Sequence, residues 1–319
     1  MAILVLTQPL DVTSDLVITE LHRRGVPVHR VDTADFPAQL TVAADIDGHG
    51  QWSGTLADPY RRTVLADITH VYFRRPGPFD LPAEMDPLER RWAEQEARLG
   101  LGGLLFALPH ARWVNDPHAM TAAEFKPRQL AVAARLGMTV PPTVITNDPQ
   151  RAREFAGVHA DAGVIYKPLH THSYIDRDTG QTMALATTPV DAGEITDAVA
   201  GTAHLFQRRI AKAYELRVTI AGAKVLAARI DAHSDAARID WRTDYDSLTY
   251  QPVELPARVR DDLLAFTREL RLVFAAIDLI VTPEGEYVFL EVNPGGQWAW
   301  IESETDLPIT AAIADTLET

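Results

Sequence analysis

The sequence contains no cysteine among its 319 residues. This absence excludes a disulfide framework, a thiolate nucleophile and a thiolate metal site. Basic residues are also few, since 30 Lys and Arg stand against 44 Asp and Glu and give a formal net charge of -14. We therefore expect no binding to nucleic acid or to an anionic membrane surface, because both require clustered Lys and Arg. This argument does not exclude a local basic groove.

Long hydrophobic runs are missing as well. No segment approaches the roughly 20 apolar residues of a membrane span. The N-terminal "MAILVLTQPLD" is apolar for only a few residues and has no basic stretch, which indicates a first strand rather than a signal peptide. With 46% hydrophobic residues, the chain has ordinary globular composition. We expect a soluble, cytoplasmic protein with a sizeable core.

Strands and helices alternate in the first third of the chain. The strands are "AILVLT", "VPVHRVD" and "HVYFRR"; the helices run from about Thr13 to Arg24 and from about Ala83 to Leu108. This alternation favours a small α/β domain with a largely parallel sheet. A further helix, "AMTAAEFKPRQLAVAARLG", leads to the hinge-like "MTVPPTVITNDPQ", and the chain is strand-rich after it. We predict a mixed α/β (α+β) protein.

The segment "AIDLIVTPEGEYVFLEVN" predicts a β-hairpin that turns at Glu284-Gly285. A two-residue loop would place Asp278 directly opposite Glu291, and the period of two would put Asn293 on the same face. Facing carboxylates on apolar strands repel each other and lose hydration, so something must compensate them. A Mg²⁺ ion shared with substrate phosphates would do so. The alternatives are that one acid pairs with a nearby Arg, or that the register differs and the acids never meet.

The aspartate of "AIDLIV", the segment "FLEVNP" and the strand lysine of "VIYKP" together resemble the ATP-grasp ligases. The ordered segments "TNDP", "YKPL", "QRRIAKAYELRVTIAG", "IDWR" and "NPGGQWAWIE" are similar to the ATP-grasp peptide maturases that make graspetides, in particular those of the actinobacterial branch. Graspetides are microviridin-like, macrocyclised ribosomal peptides. The resemblance extends over nearly the whole chain, including "ILVLTQPLDVTSDLVITELHRRG" at the start.

The resemblance implies an ATP-grasp fold in three parts. Residues 1–115 would form an N-terminal pre-ATP-grasp α/β domain. Residues 116–205 would form the first ATP-grasp subdomain, in which "LHTHSYIDRDTGQTMAL" resembles the mobile loop that closes over phosphates but has few glycines. Residues 206–319 would form the C-terminal ATP-grasp subdomain with the Mg-binding hairpin.

The resemblance also implies ATP and two Mg²⁺ ions as cofactors, with Asp278, Glu291 and Asn293 as the metal ligands. Lys126 in "AAEFKPRQ" and Lys167 in "IYKP" match the two lysines that grip the triphosphate. A Lys ammonium is a compact charge that suits phosphate oxygens. The pattern around Lys126 alone favours a solvated helix lysine, whereas Lys167 follows an apolar strand that would place it at a specific position.

Three residues of "FQRRI", namely Gln207, Arg209 and Ile210, match the strand and linker that contact adenine. The alternative for this segment is a buried strand with an exposed Arg pair. Arg217 matches the arginine that reaches phosphates near the metals, and a planar guanidinium suits that task. Its alternative is a salt bridge to one of the hairpin carboxylates, at the same place.

The motif "DWR", which ends at Arg242, lies in the polar connection "DAHSDAARIDWRTDYDS", where core packing does not call for a Trp. In the resembled family this motif lies near the peptide site, so Arg242 is the candidate that binds the donor carboxylate. An exposed structural Trp-Arg stack is the alternative. For Arg74 and Arg75 in "YFRRPGPF" the sequence favours a solvated strand end over contact with an acidic peptide or a partner subunit. No role is assigned to Trp298 and Trp300.

The implied activity is that of an ADP-forming ligase, with Arg217, Lys167 and Arg242 as catalytic residues. It would phosphorylate Asp or Glu side chains of a ribosomal precursor peptide and close ω-esters with Ser or Thr, or ω-amides with Lys. The resemblance also implies a homodimer. Two alternatives stay open: an ATP-grasp ligase that joins a free amino acid or amine to a peptide or small acid, and a non-catalytic ATP- or peptide-binding module.

Overall fold

The computed structural model describes residues 2–170, 173–175, 182–184 and 186–319. The strands are β1 (Ala2–Leu6), β2 (Val28–Val31), β3 (Thr41–Ile46), β4 (Trp52–Ala57), β5 (Arg62–Val64), β6 (Ile68–Phe73), β7 (Arg112–Val114), β8 (Thr143–Thr146), β9 (Val164–Lys167), β10 (Ser173–Ile175), β11 (Thr182–Ala184), β12 (Thr188–Val190), β13 (His204–Arg208), β14 (Tyr214–Ala221), β15 (Lys224–Ala232), β16 (Leu248–Val253), β17 (Phe274–Val281) and β18 (Tyr287–Asn293). The α-helices are α1 (Val12–Arg23), α2 (Pro87–Ala97), α3 (Gly103–Phe106), α4 (Pro117–Ala123), α5 (Lys126–Arg135), α6 (Pro149–Val158), α7 (Asp235–Ile239), α8 (Ala257–Glu269), α9 (Ala299–Thr305) and α10 (Ile309–Glu318).

The N-terminal sheet has the order β2-β1-β6-β7, and its pairs are parallel as the sequence predicts. Strand β1 is apolar throughout because both of its faces are covered. Ile3 and Val5 pack in a core cluster with residues of α1 and of the C-terminal helix α10. Leu4 and Leu6 face the opposite cluster, which contains Leu104 and Leu105 of α3 and Leu101 of the preceding turn. The last helix of the chain is therefore part of the N-terminal core.

The long helix expected from about Ala83 to Leu108 begins later, at Pro87. Asp86 caps it by accepting hydrogen bonds from the backbone N–H groups of Leu88 at 2.7 Å and Glu89 at 3.0 Å, and Pro87 tolerates the first helical position. A π-helical turn, Arg98–Gly102, joins α2 to α3.

The single helix expected over "AMTAAEFKPRQLAVAARLG" is wrong, because the structure has two helices there. Helix α4 ends at Ala123 and α5 begins at Lys126, directly before Pro127. Proline lacks a backbone N–H and cannot continue a helix, but it suits a first turn. Lys126 therefore occupies the start of a helix instead of the solvated face of a longer one.

The central sheet is antiparallel with the order β12-β9-β13-β8, and α6 packs on it through Ala152, Phe155 and Ala156. The C-terminal sheet is antiparallel with the order β16-β15-β14-β17-β18; its outermost strand β16 was not predicted. Helices α4, α5 and α8 cover one face of this sheet. Within the described ranges, no helix has the length and hydropathy to cross a membrane.

Asp11 at the start of α1 anchors the N-terminal domain through its buried carboxylate. It accepts hydrogen bonds from the hydroxyls of Thr7 at 2.8 Å, Thr13 at 2.5 Å and Ser14 at 2.7 Å. Burial opposes ionisation, but these hydrogen bonds and the Arg74 guanidinium lower the pKa of Asp11 from 3.8 to about 2. The group is ionised at neutral pH.

The lowered pKa of Asp11 predicts a pH-dependent contribution to stability. The contribution is complete above pH 3.8 and is lost as pH falls towards 2; it amounts to about 2 kcal/mol. We expect Asp11→Asn to lower the free energy of unfolding by about this amount at pH 7, and by less at pH 3. Urea unfolding at both pH values measures the difference, and an equal loss at both would contradict the prediction.

Candidate active site

The hairpin of β17 and β18 confirms that Asp278 lies opposite Glu291. The expected two-residue loop is wrong. The backbone N–H of Thr282 donates to the carbonyl of Glu286 at 2.9 Å, which leaves three loop residues, the last being Gly285 at φ 85°. With that loop alone, Asp278 would face Leu290. The pairing shifts by one residue between Asp278 and Leu279, so a β-bulge restores the acid pair.

Arg217, Asp278 and Glu291 are direct neighbours in one row across β14, β17 and β18. The Arg217 Nη1 donates to Asp278 Oδ1 at 2.8 Å, and both side chains are buried. A buried carboxylate is tolerated only when it is paired, so this contact stabilises the row. The salt bridge that was the alternative for Arg217 is therefore present, at the place implied for its phosphate role.

Arg242 contacts both carboxylates of the hairpin. Its Nη2 donates to Asp278 Oδ2 and, at 3.0 Å, to Glu291 Oε1. Burial would lower the pKa of Arg242, but Asp278, Glu291 and Asp240 together raise it. The guanidinium thus bridges the two acids.

The sequence predicts a polar, exposed connection around "DWR", and this prediction is wrong for Trp241. Trp241 is buried, with 3% of its surface exposed, and the Arg242 guanidinium lies 4.5 Å from the centre of its ring. Trp300 packs on Trp241 with ring centres 5.1 Å apart, and Tyr250 packs on Trp300 at 5.0 Å. These contacts give Trp300 a structural role. It packs on Trp241, and the ring of Trp241 supports the Arg242 guanidinium.

Both lysines act on the charge of Glu291. Lys126 Nζ, at the start of α5, donates to Glu291 Oε2, so the solvated-lysine alternative is wrong. Lys167 ends β9, and burial lowers its pKa although the Glu291 charge opposes this shift. Burial also disfavours an ionised Glu291, but Lys167, Lys126 and Arg242 hold the pKa of Glu291 well below its usual range. The acid is charged and surrounded by cations.

Asn293 pairs across the hairpin with Ala276, two residues along the strands from the Asp278 and Glu291 pair. Its side chain is exposed, and Asn293 Oδ1 accepts a hydrogen bond from the backbone N–H of Gly295 at 3.1 Å. The amide oxygen therefore stabilises the turn that follows the strand. Its assignment as a metal ligand stays a prediction.

The residues implied for adenine line the cleft between the central and C-terminal sheets. Gln207 is buried in β13; its Nε2 donates to Thr143 Oγ1 at 2.9 Å, while its Oε1 has no protein partner among the described residues. Ile210 lies on the linker beside it, and exposed Arg209 faces an adjoining cavity of about 690 Å³. A buried acceptor without a donor suits the amino group of a nucleobase.

Glu215 and Lys212 also line this cleft and were missed from the sequence. Glu215 lies two residues before Arg217 on β14, so the strand alternation in "YELRV" could have placed both on one face. Burial raises the pKa of Glu215 against the effect of the Lys212 ammonium, which donates a hydrogen bond to it. Asp240 was missed too, although it opens the "DWR" motif and pairs with Arg242 at 3.3 Å.

The donor set fits a metal bound together with phosphates rather than a metal held by protein alone. Among the described residues, no group of three or more His, Cys, Asp or Glu could hold a metal ion. Two carboxylates and one amide leave coordination positions for phosphate oxygens, as is usual for Mg²⁺. Among the described side chains here the cations outnumber the acids by one, with Lys126, Lys167, Lys212, Arg217 and Arg242 against Glu215, Asp240, Asp278 and Glu291. This local surplus of positive charge fits a triphosphate.

The segment expected to close over phosphates is described only in part. Strands β10 and β11 pair in an antiparallel manner within it. The stretch "DRDTG" of this segment, at 176–180, lies outside the described residues.

Comparisons with known proteins agree with this fold. A family model described as "MvdD pre-ATP grasp domain" matches residues 2–121. A Chryseobacterium gregarium RiPP-associated ATP-grasp ligase, solved in complex with ADP and a leader and core peptide, is 29% identical with a TM-score of 0.90, covering 99% of this chain and 96% of that one. The macrocyclase MdnC of Microcystis aeruginosa, solved with precursor peptide MdnA, is 29% identical with a TM-score of 0.86, covering 100% and 99%.

The macrocyclase MdnB of Microcystis aeruginosa is 30% identical with a TM-score of 0.81, covering 99% of this chain and 98% of that one. Fold and comparisons together confirm an ATP-grasp fold with a pre-ATP-grasp domain. The chain belongs to the ATP-grasp ligase family. Among curated proteins, a "Probable alpha-L-glutamate ligase" of Serratia proteamaculans is 26% identical over 210 residues, which are 64% of this chain and 67% of that protein.

Gly296 lies against the row of charged residues and provides a test of it. A Cβ at Gly296 would lie 2.8 Å from Arg217 Nη2 and 2.5 Å from Ala276 Cβ, so the structure must shift to relieve both contacts. We expect Gly296→Ala to displace Arg217 and to lower kcat for ADP formation by about tenfold or more. In the control Gly295→Ala, the added Cβ meets only Met120 Cε at 3.3 Å, and kcat should stay within about threefold. Equal effects of the two variants would contradict this prediction.

Proposed function

We propose that this ligase phosphorylates Asp or Glu side chains of a ribosomal precursor peptide and closes macrocyclic ω-esters with Ser or Thr, or ω-amides with Lys. The observation that carries the proposal is the convergence of Lys126, Arg217 and Arg242 on the facing carboxylates of Asp278 and Glu291. The likeness to MdnC, solved with its precursor peptide, over the full chain supports a peptide as the second substrate.

In this proposal ATP lies in the cleft between the central and C-terminal sheets. Gln207, Arg209 and Ile210 contact the adenine side, and Lys126 and Lys167 bind phosphate oxygens. Asp278, Glu291 and Asn293 would hold two Mg²⁺ ions, which neutralise phosphate charge when they are bound. Buried Lys167 would gain from this arrangement, because a nearby phosphate favours its charged form.

The first step transfers the γ-phosphoryl group. A carboxylate oxygen of the peptide attacks the γ-phosphorus, the bond to the β-phosphate oxygen breaks, and ADP leaves while an acyl phosphate forms. Arg217 stabilises the charge on the transferring group, since its guanidinium is fixed in place before the reaction. Arg242 attracts and orients the peptide carboxylate through its charge.

The second step closes the ring without a covalent enzyme intermediate, which suits a chain that has no cysteine. A hydroxyl oxygen of Ser or Thr attacks the acyl carbon, the bond to the phosphate oxygen breaks, and the hydroxyl proton leaves with inorganic phosphate. A Lys amine as acceptor gives an amide by the same sequence. Holding donor and acceptor of one peptide together makes this step effectively unimolecular.

A second candidate is a ligase that joins a free amino acid or amine to a peptide or small acid. The similarity to the Serratia relative, whose name describes a glutamate ligase, favours it. It would use the same ATP site and differ only in the acceptor. The third alternative, a non-catalytic binding module, is disfavoured by the intact set of acids and cations.

Mass spectrometry of a reaction with ATP, Mg²⁺ and the precursor peptide encoded beside this gene separates the candidates. We expect ADP as the nucleotide product and a peptide that has lost one water for each ring. A peptide that gains the mass of an added amino acid would support the second candidate. Release of AMP with pyrophosphate, or no turnover with any peptide, would contradict the proposal.

Glu291→Gln tests the role of the hairpin acid. We expect kcat to fall at least about 100-fold, because the amide holds a metal poorly and leaves three cations without their carboxylate. The control is Glu284→Gln, which changes an exposed acid at the turn of the same hairpin and should leave kcat unchanged. An active, folded Glu291→Gln enzyme would show that Glu291 is merely structural.

The family resemblance supports further parts of the proposal. We propose that the enzyme is a cytoplasmic homodimer of the actinobacterial branch, divided into parts at residues 1–115, 116–205 and 206–319. Size-exclusion chromatography with light scattering tests the dimer.

A further inference from the structure

The turn between β18 and α9, residues Pro294–Gln297, is held by side chains from distant parts of the chain. Asn115 Nδ2 donates to the Pro294 carbonyl at 2.9 Å. Arg74 Nη1 donates to the carbonyl of Gly295 at 2.9 Å and to that of Gly296 at 3.3 Å. Arg217 Nη2 donates to the Gln297 carbonyl at 2.9 Å. All four carbonyls of the turn thus accept a hydrogen bond from a side chain.

Arg74 is not the solvated strand end that the sequence favours, since 3% of its surface is exposed. Besides the turn carbonyls, its Nη2 donates to Thr13 Oγ1 at 3.0 Å and to Gln297 Oε1 at 3.1 Å. Its Nε lies 3.8 Å from the Asp11 carboxylate. A guanidinium fixed by a buried acid on one side can orient backbone carbonyls on the other.

Asn115 fixes the other end of the turn. Its Nδ2 also donates to the Phe274 carbonyl at 2.7 Å, and its Oδ1 accepts from the backbone N–H groups of Val273 and Phe274 at 2.7 and 2.8 Å. The same side chain therefore connects the turn to the start of β17, the strand that carries Asp278. The turn is therefore held at both ends in a fixed position relative to Asp278 and Glu291.

We propose that Arg74 and Asn115 are positioning residues, through which the N-terminal domain fixes the Pro294–Gln297 turn and thereby aims Arg217 at Asp278. Arg217 donates from Nη1 to Asp278 and from Nη2 to the turn, so the orientation of its guanidinium depends on both. The buried turn glycine Gly296 leaves no free space beside Arg217. The inference rests on the proposed function only through the role given to Arg217.

The test compares Arg74→Gln with the control Arg24→Gln in the full-length enzyme. Arg24 also joins the N-terminal domain to the C-terminal region, through ion pairs to Asp315 at 2.6 Å and Glu318 at 2.5 Å, but it does not contact the turn. Hydrogen exchange of residues 295–298, followed by mass spectrometry, reports the order of the turn without requiring activity. We expect exchange there to become at least about tenfold faster in Arg74→Gln and to be unchanged in Arg24→Gln.

Kinetics of ADP formation then report the effect on Arg217. We expect kcat of Arg74→Gln to fall about tenfold or more with KM for ATP changed less than about threefold, because nucleotide contacts remain. Arg24→Gln should keep its kcat. If Arg74→Gln fails to fold, Arg74→Lys serves as the second variant. It keeps the positive charge beside Asp11 but loses the planar set of guanidinium donors, so the same results are expected for it.

Two results would overturn the inference: unchanged exchange in the turn, or faster exchange with full kcat. The outcome is separable from that of the proposed function. If no peptide is cyclised by the unmodified enzyme, the exchange experiment still decides whether Arg74 orders the turn.

Discussion

The pairing of two carboxylates on adjacent strands is the constraint on which the rest of the site depends. Asp278 and Glu291 face each other in an otherwise apolar hairpin, where unpaired charges would be strongly destabilising. Lys126, Arg217 and Arg242 each donate to one or both of them. Because every one of these cations also suits a phosphate oxygen, the groups that make the acid pair tolerable are those that a nucleotide-dependent ligase needs.

The cations reach the acids from separate elements, and each has its own support. Lys126 lies at the start of a helix that exists because Pro127 interrupts a longer pattern. Arg242 rests on Trp241, which is in turn packed by Trp300. Arg217 is held between Asp278 and a turn that the N-terminal domain fixes. The aromatic residues near the C-terminus and the N-terminal domain therefore both act on the geometry of one cluster.

The hairpin shows how a correct sequence prediction can contain a wrong step. The alternation of apolar and polar residues places Asp278 opposite Glu291 for a two-residue loop, yet the actual loop has three residues. A bulge at Leu290 restores the register. The longer loop shifts the register of the hairpin by one residue, and the bulge shifts it back, so the same two acids face each other. The local sequence "TPEG" does not distinguish this arrangement from a two-residue loop without a bulge. Trp241 and Arg74 were misjudged for a related reason, since polar neighbours in the sequence do not reveal what packs on them from elsewhere.

The sequence by itself determined the elements whose causes are local: the parallel N-terminal strands, the acid hairpin, and the strands that deliver Lys167 and Arg217. These follow from periodicity and turn chemistry within short segments. Only the tertiary structure decided which cation meets which acid, that Gln207 lines the cleft with an Oε1 that has no partner among the described residues, and that Arg74 holds the turn beside Arg217. Such contacts join residues far apart in the chain. Their geometry depends on how whole sheets and helices pack, which no short segment encodes.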